Sequence, residues 1–292
     1  MKIMLYIVTY NNEEHVNHNL KTLFQCDMTG LDVTVHVVSN HSNLVIHDEF
    51  KPYLESGQLK IIMNETRPDW STIHLTRNWN ECLVAGFKDL KNPACDMVIL
   101  SQDDIGWHPD ALQKIVNYSK QYSCILLGPG DQVMAFLPEA VRKIGLFDER
   151  IMAFAETEFF LRAALYNGPK TTINDYWHQI LLPVRKNFPP TPPYLWNPLP
   201  EQPYGIIYRP DSNEQRKQQA RDSGVPKYHC ISREVYFEKW GVYPELEPLA
   251  QQVERHKNGP IGKQYIFYPY FEIDVEDLKK KNYVYREEYT YY

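Results

Sequence analysis

Short apolar runs rich in β-branched residues alternate with helical segments over the first 180 residues of the chain. The runs lie at residues 3–8, 33–38, 59–63, 97–100 and 125–127. In the segments between them, apolar residues recur three and four positions apart, as at Leu112, Ile115 and Val116. This alternation predicts an α/β fold with a mostly parallel sheet flanked by helices.

Polar clusters follow the first four apolar runs, at residues 9–12, 39–43, 64–67 and 101–104. In open α/β sheets, ligands bind outside the carboxyl ends of the strands. Because parallel strands bring those ends to one edge, the four clusters predict a single cleft lined by amide, hydroxyl and carboxylate groups.

Two adjacent carboxylates, Asp103 and Asp104, follow the buried run at 97–100. Adjacent carboxylates raise each other's pKa unless a cation is present. Pro109 predicts the start of the next helix, so the N-cap would be His108 and not the acidic pair. Carboxylate oxygens suit Mg²⁺ or Mn²⁺, and the pair predicts a metal or ligand site.

The charge distribution favours a metal intermediary and disfavours nucleic acid as a partner. The chain has a net charge of −6, whereas nucleic-acid binders are usually basic. Residues 1–180 carry 15 Lys and Arg against 22 Asp and Glu. An acidic region that binds an anionic ligand would need a cation between the two.

The last part of the chain, residues 181–292, contains 14 of the 21 prolines and 14 of the 21 tyrosines. Residues 183–203 are predicted to form an extended arm, because proline fixes φ and lacks a donor. We therefore predict a domain at 1–182 and a Pro/Tyr-rich C-terminal extension at 183–292 with helical segments. Its aromatic residues suit either an acceptor platform or simple packing.

No apolar run approaches the length of a membrane helix, and the apolar run near the N-terminus is too short for a signal peptide. The expected location is therefore cytoplasmic, with no transmembrane segment.

Seven motifs in order resemble those of one enzyme family. They are IVTYN at 7–11, VVSNHS at 37–42, TRN at 76–78, LSQDDIGWHP at 100–109, GLFDE at 145–149, ETEFFLR at 156–162 and His178. They resemble the nucleotide-sugar-dependent glycosyltransferases of the A-type fold, in particular family 2. The match covers about residues 1–180.

The resemblance implies a Rossmann-like nucleotide-diphospho-sugar transferase fold with residues 1–182 as the catalytic domain. It implies a hexosyl- or pentosyltransferase that moves a sugar from a nucleoside-diphosphate donor to a glycan or other hydroxyl acceptor, with Mn²⁺ or Mg²⁺ as cofactor. The implied metal ligands are Asp104 and His178. The implied nucleotide-sugar contacts are Thr9, Tyr10, Asn40, Asn64, Arg77, Gln102 and Asp103.

By the same resemblance, Glu156 is the general base of a single, inverting displacement, although retention stays open. Gln102 stands where the family has the first metal-motif acid, and Ala155 stands where it has a glutamate. If the register is shifted, Glu158 is the base. Otherwise Glu158→Gln should be milder than Glu156→Gln, because positions i and i+2 of a helix face different ways.

Two other functions compete with glycosyl transfer. A nucleotidyltransferase is disfavoured because residues 9–13 contain no glycine for a phosphate loop. A non-catalytic sugar- or nucleotide-binding protein with a degenerate fold would explain Gln102 and Ala155, but the presence of Asp104, Glu156 and Arg162 counts against it. The donor, the acceptor and homo-oligomer formation stay open.

Overall fold

A computed structural model describes residues 1–10, 12–40, 44–64, 75–120, 123–127, 132–151, 154–166, 207–208, 225–244 and 249–256. The strands are β1 Lys2–Thr9, β2 Asp32–Ser39, β3 Leu59–Met63, β4 Met97–Gln102, β5 Gly106–Trp107, β6 Cys124–Leu127, β7 Val133–Phe136 and β8 Ile207–Tyr208. The helices are α1 Glu13–Leu23, α2 Lys51–Glu55 (after a 3₁₀ turn at Asp48–Phe50), α3 Leu75–Phe87, α4 Ala111–Ser119, α5 Pro138–Ile144, α6 Ala155–Tyr166, α7 Val225–Trp240 and α8 Leu249–His256.

Six strands form one sheet in the order β3-β2-β1-β4-β7-β6. The first four in this order are parallel, and β7 runs antiparallel to both β4 and β6. The predicted α/β class with a mostly parallel sheet is therefore confirmed. The antiparallel strand β7 was not predicted, because its four residues carry no alternation that separates a strand from a short helical turn.

Apolar residues of the central strands point to both sides of the sheet, as a strand period of two requires. Ile3, Leu5 and Ile7 of β1 pack with residues of α1 and α4 on one side. Tyr6 and Val8 pack on the other side with α3, α5 and α6. Helices thus cover both faces of the sheet, and the carboxyl ends of the parallel strands remain the place for polar groups.

The helix after β4 begins later than the sequence indicated. Helix α4 starts at Ala111, and its N-cap residue is Asp110 rather than His108. Pro109 lies in the preceding turn. The acidic pair still lies more than one helical turn before this cap, so the reason for excluding a capping role stands.

Parts of the predicted extension pack against the first 182 residues. Strand β8 pairs with β5 in antiparallel register, placing Ile207 opposite Trp107. In α7, Tyr236 and Trp240 are buried in a cluster with Leu161 of α6. The predicted arm at 183–203 lies outside the described residues, and the division at residue 182 stays a prediction.

None of the helices in the described ranges is both long enough and apolar enough to cross a membrane.

The buried imidazole of His36 on β2 predicts a loss of stability in mild acid. It is 9 % exposed and stacks on the Tyr6 ring, with 4.7 Å between ring centroids. Burial, helped by Lys60, lowers the pKa of His36 to about 4. The unfolded chain, with an ordinary histidine pKa near 6.5, then binds more protons than the folded chain, so stability falls as the pH drops from 6.5 towards 4.

The variant His36→Phe keeps the ring stack and removes this titration. In urea unfolding, wild type should lose about 1–2 kcal/mol more than His36→Phe between pH 7 and pH 5. Equal losses would show that His36 is not the group responsible.

Candidate functional site

The centre of the site is the acidic turn, which we define as residues 102–107, from the last residue of β4 to the end of β5. Asp103 and Asp104 follow the buried strand β4, and each is only 8 % exposed. Burial first, and then the charge of Asp104, raise the pKa of Asp103 to about 6. Two carboxylates held out of water side by side are costly unless they bind hydrogen-bond donors or a cation.

Side chains from the end of β1 hold one of these carboxylates. Thr9 Oγ1 donates to Asp103 Oδ2 at 2.6 Å, and Asn12 Nδ2 donates to the same oxygen at 3.1 Å. Thr9 and Asp103 are therefore brought together as the sequence predicted. Asn12 belonged to the polar cluster at 9–12 but was not predicted as a site residue. Tyr10 lies next to Thr9 and is partly buried.

The ends of β2 and β3 continue the same edge. The backbone N–H of Asn40 donates to the backbone carbonyl of Thr9 at 3.0 Å. Asn64 Nδ2 donates to Asn40 Oδ1 at 3.2 Å, so the two predicted amide side chains contact each other. In the sheet register, Thr9 is opposite Ser39 and Val8 is opposite Gln102. The four polar strand ends thus form one continuous edge, as predicted.

The backbone of the acidic turn is anchored from two sides. The backbone N–H of Gln102 donates to the backbone carbonyl of Gln132 at 2.9 Å, and this bond connects the end of β4 to the segment before β7. On the other side stands Asn19 of α1, which no motif indicated. Its only signal in the sequence is an amide at a position that continues the apolar stripe of Val16, Leu20 and Leu23.

Arg77 lies apart from these strand-end contacts. It sits near the start of α3, about half exposed, and its Nε donates to Glu81 Oε1 at 3.2 Å. This is an ordinary surface ion pair between residues four positions apart on one helix. A contact between Arg77 and a phosphate stays a prediction.

The two glutamates at the start of α6 differ in environment. Glu156 is partly exposed in the first turn. Glu158 is fully buried, and its two carboxylate oxygens share the N–H of Arg162 Nε at 2.9 and 3.0 Å. Its Oε1 lies 2.6 Å from Lys239 Nζ of α7. A fully buried carboxylate that pairs with two cations is poorly placed to take a proton from an acceptor hydroxyl. The role of Glu156 as general base stays a prediction.

The carboxylate oxygens of the acidic turn are of the type that binds a divalent cation such as Mg²⁺. Mg²⁺ is usually bound by one or two carboxylates together with substrate phosphates and water, rather than by a protein cage. Over the described ranges, no cluster of three or more His, Cys, Asp and Glu side chains forms such a cage. Asp104, the predicted carboxylate ligand, and its neighbour Asp103 are both buried oxygen groups of the kind such a cation prefers. The other predicted ligand, His178, lies outside the described residues.

Several solved structures resemble this chain over part of its length. TarS (residues 1–349) from S. aureus in complex with UDP has a TM-score of 0.45 at 14 % identity, covering 83 % of this chain and 72 % of that one. The mannosyltransferase PcManGT from Pyrobaculum calidifontis, in complex with GDP-Man and Mn²⁺, has a TM-score of 0.43 at 14 % identity, covering 56 % and 52 %.

GalNAc-T7 with UDP, GalNAc and Mn²⁺ has a TM-score of 0.41 at 11 % identity, covering 56 % of this chain and 40 % of that one. This chain thus spans about half the length of several of the structures it matches. No family model matches the sequence, and no curated protein has significant sequence similarity to it.

Proposed function

We propose that this protein is a metal-dependent glycosyltransferase that moves a sugar from a nucleoside-diphosphate donor to an acceptor hydroxyl. The observation that carries the proposal is the buried Asp103–Asp104 pair at the carboxyl end of β4, beside the hydroxyl and amide groups of β1 and β2. An acidic edge of this kind needs a cation before it can hold a diphosphate.

The residues of the edge have separate tasks in this proposal. Asp104 would hold the Mn²⁺ or Mg²⁺, which when bound neutralises charge on the leaving diphosphate as a Lewis acid. Asp103 beside it would contact the ribose or the sugar of the donor. Thr9 and Asn12 fix the Asp103 carboxylate through the hydrogen bonds described above. Asn40 and Asn64 present amide groups suited to the edge of a base or to a ribose.

Glu156 acts as general base in the transfer step. Its carboxylate takes the proton of the acceptor hydroxyl while that oxygen forms a bond to the anomeric carbon. The bond from the anomeric carbon to the diphosphate oxygen breaks, and the nucleoside diphosphate leaves with the electron pair. A single displacement of this kind inverts the anomeric centre.

Metal-dependent binding of nucleotides tests the proposal. UDP, GDP and their sugar conjugates should each be tried in a thermal-shift assay with and without Mn²⁺. We expect at least one to raise the melting temperature only when Mn²⁺ is present. A ligand at 100 times its Kd stabilises the folded state by about 2.7 kcal/mol.

The matched variants for this test are Asp104→Asn and Asp110→Asn. Asp104→Asn should lose the Mn²⁺-dependent shift, because it removes a buried metal carboxylate. Asp110 is exposed at the start of α4 and pairs with Lys114, so its variant should keep the shift. A nucleotide shift that ignores Mn²⁺ would overturn the metal assignment. Binding without any sugar transfer would support the non-catalytic alternative.

A further inference from the structure

The side-chain amide of a buried asparagine on α1 forms hydrogen bonds with both ends of the acidic turn. Asn19 is fully buried, and its Nδ2 donates to the carbonyl of Gln102 at 2.9 Å and lies 3.4 Å from the carbonyl of Asp103. Its Oδ1 accepts from Trp107 Nε1 at 2.8 Å. One side chain therefore joins the residue before the acidic pair to the residue that closes the turn.

Further contacts continue along the same side of α1. Thr22 Oγ1 accepts from the backbone nitrogen of Trp107 at 3.1 Å. Beyond the end of the helix, the Asp27 amide donates to the carbonyl of Pro109 at 2.7 Å. The backbone on both sides of the two carboxylates is thus held against a helix rather than left as a surface loop.

We propose that Asn19 is a positioning residue for the metal site, holding the backbone of Gln102 and Asp103 so that both carboxylates stay together. This inference rests on the proposed function. Adjacent carboxylates repel one another, and an unsupported turn could relax by moving them apart. Groups that orient metal ligands typically change metal affinity or activity by 10–100-fold when removed.

Asparagine is the side chain that this position requires. It needs one donor group for the two carbonyls and one acceptor for the indole N–H of Trp107. Aspartate would accept from Trp107 but would place a carboxylate against two carbonyl oxygens. Leucine has the same number and branching of side-chain heavy atoms as asparagine and makes none of these hydrogen bonds.

A second buried asparagine on the same helix provides a matched control. Asn17 is 3 % exposed, and its Nδ2 donates to the carbonyls of Glu13 at 2.9 Å and Val45 at 3.0 Å. Its Oδ1 accepts from the His47 amide at 2.8 Å. Asn17 and Asn19 match in burial and bonding, but Asn17 braces the segment after β2 instead of the acidic turn.

The experiment compares Asn19→Leu and Asn17→Leu in the full chain. The apparent Mn²⁺ dissociation constant is measured as the Mn²⁺ concentration that gives half of the nucleotide-dependent thermal shift, with every variant at the same nucleoside diphosphate concentration. The urea midpoint is measured alongside. Both variants should lower the midpoint by similar amounts, but only Asn19→Leu should weaken Mn²⁺ binding, by about 10–100-fold.

Trp107→Phe gives a second test if Asn19→Leu does not fold. It removes the indole N–H that orients the Asn19 amide, together with part of a buried ring, and it should weaken Mn²⁺ binding in the same direction by a smaller factor. Unchanged Mn²⁺ affinity in Asn19→Leu, or in Trp107→Phe where it stands in, would overturn the inference. So would equal weakening in Asn17→Leu. Wild type that binds no Mn²⁺ with any nucleotide would instead overturn the proposed function itself.

Discussion

Replacing Glu156 with glutamine is expected to lower the rate of sugar transfer by roughly 10²–10⁴-fold, the usual contribution of a positioned general base. Glutamine keeps the size of the side chain but cannot take a proton from the acceptor hydroxyl. The strand-end groups proposed to bind the nucleotide and the metal are unchanged, so nucleotide affinity should barely change. The measurement is turnover in a transfer assay, with the Kd of the nucleoside diphosphate measured on the same protein.

Glu139→Gln is the matched control for this variant. Glu139 is an exposed glutamate in the first turn of α5, the helix that packs against α6. It should keep wild-type turnover. If Glu156→Gln also keeps wild-type turnover, Glu156 is not the base. If Glu156→Gln loses turnover and nucleotide affinity together, the start of α6 has a structural role instead.

The variant Lys239→Met is expected to destabilise the protein by about 3–5 kcal/mol, because it leaves buried charge without its partner. Lys239 Nζ lies 2.6 Å from Glu158 Oε1 and 3.1 Å from Asp148 Oδ2, and all three side chains are almost fully buried. Burial alone would raise the pKa of Asp148, but the charges of Lys239 and Arg150 outweigh it and lower that pKa. Loss of the lysine removes the main partner of the buried Asp148 carboxylate and leaves it with Arg150.

Lys114→Met tests whether burial of the ion pair causes the large loss of stability expected in Lys239→Met. Lys114 lies 2.8 Å from Asp110 in an exposed ion pair, and such pairs contribute about 0–1 kcal/mol. Urea unfolding of both variants at pH 7 gives the comparison. A loss in Lys239→Met no larger than that in Lys114→Met would mean that α7 does not supply the charge that Asp148 and Glu158 require.

These contacts also change the expectation for Glu158. From the sequence, Glu158→Gln was expected to be the milder of the two glutamate variants. In the structure, the change would leave Arg162 and Lys239 facing a neutral amide in a buried site. Its main effect should therefore be on stability, and turnover per folded molecule is the quantity to compare with Glu156→Gln.

The sequence predicted the features that depend on local pattern. Strands β1, β2 and β4 are largely buried and apolar, β3 is a shorter edge strand in which only Leu59 is buried, and polar residues follow all four. Both the parallel sheet and the polar edge were therefore evident. Thr9, Asn40, Asn64 and Asp103 could be placed on that edge because parallel strands align their carboxyl ends. Helix spacing alone also indicated that Glu156 and Glu158 face different ways.

Other features depend on contacts between distant parts of the chain, which periodicity does not encode. The partners of Asn19 are backbone carbonyls more than 80 positions away, so no spacing rule could find them. The buried environment of Glu158 includes Lys239, which comes from a helix in the C-terminal extension. Arg77 was predicted from its motif, but its pairing with Glu81 depends on which face of α3 is exposed.

The pairing of Asp148 with Lys239 also bears on how the chain is made. The two residues are 91 positions apart. A ribosome that adds 5–20 residues per second needs about 5–20 s to travel that distance. During this time, the sheet and α6 exist without the lysine that neutralises their buried acids. We therefore expect the native fold to be completed only after α7 has left the ribosome, and nascent chains that end before it to be protease-sensitive.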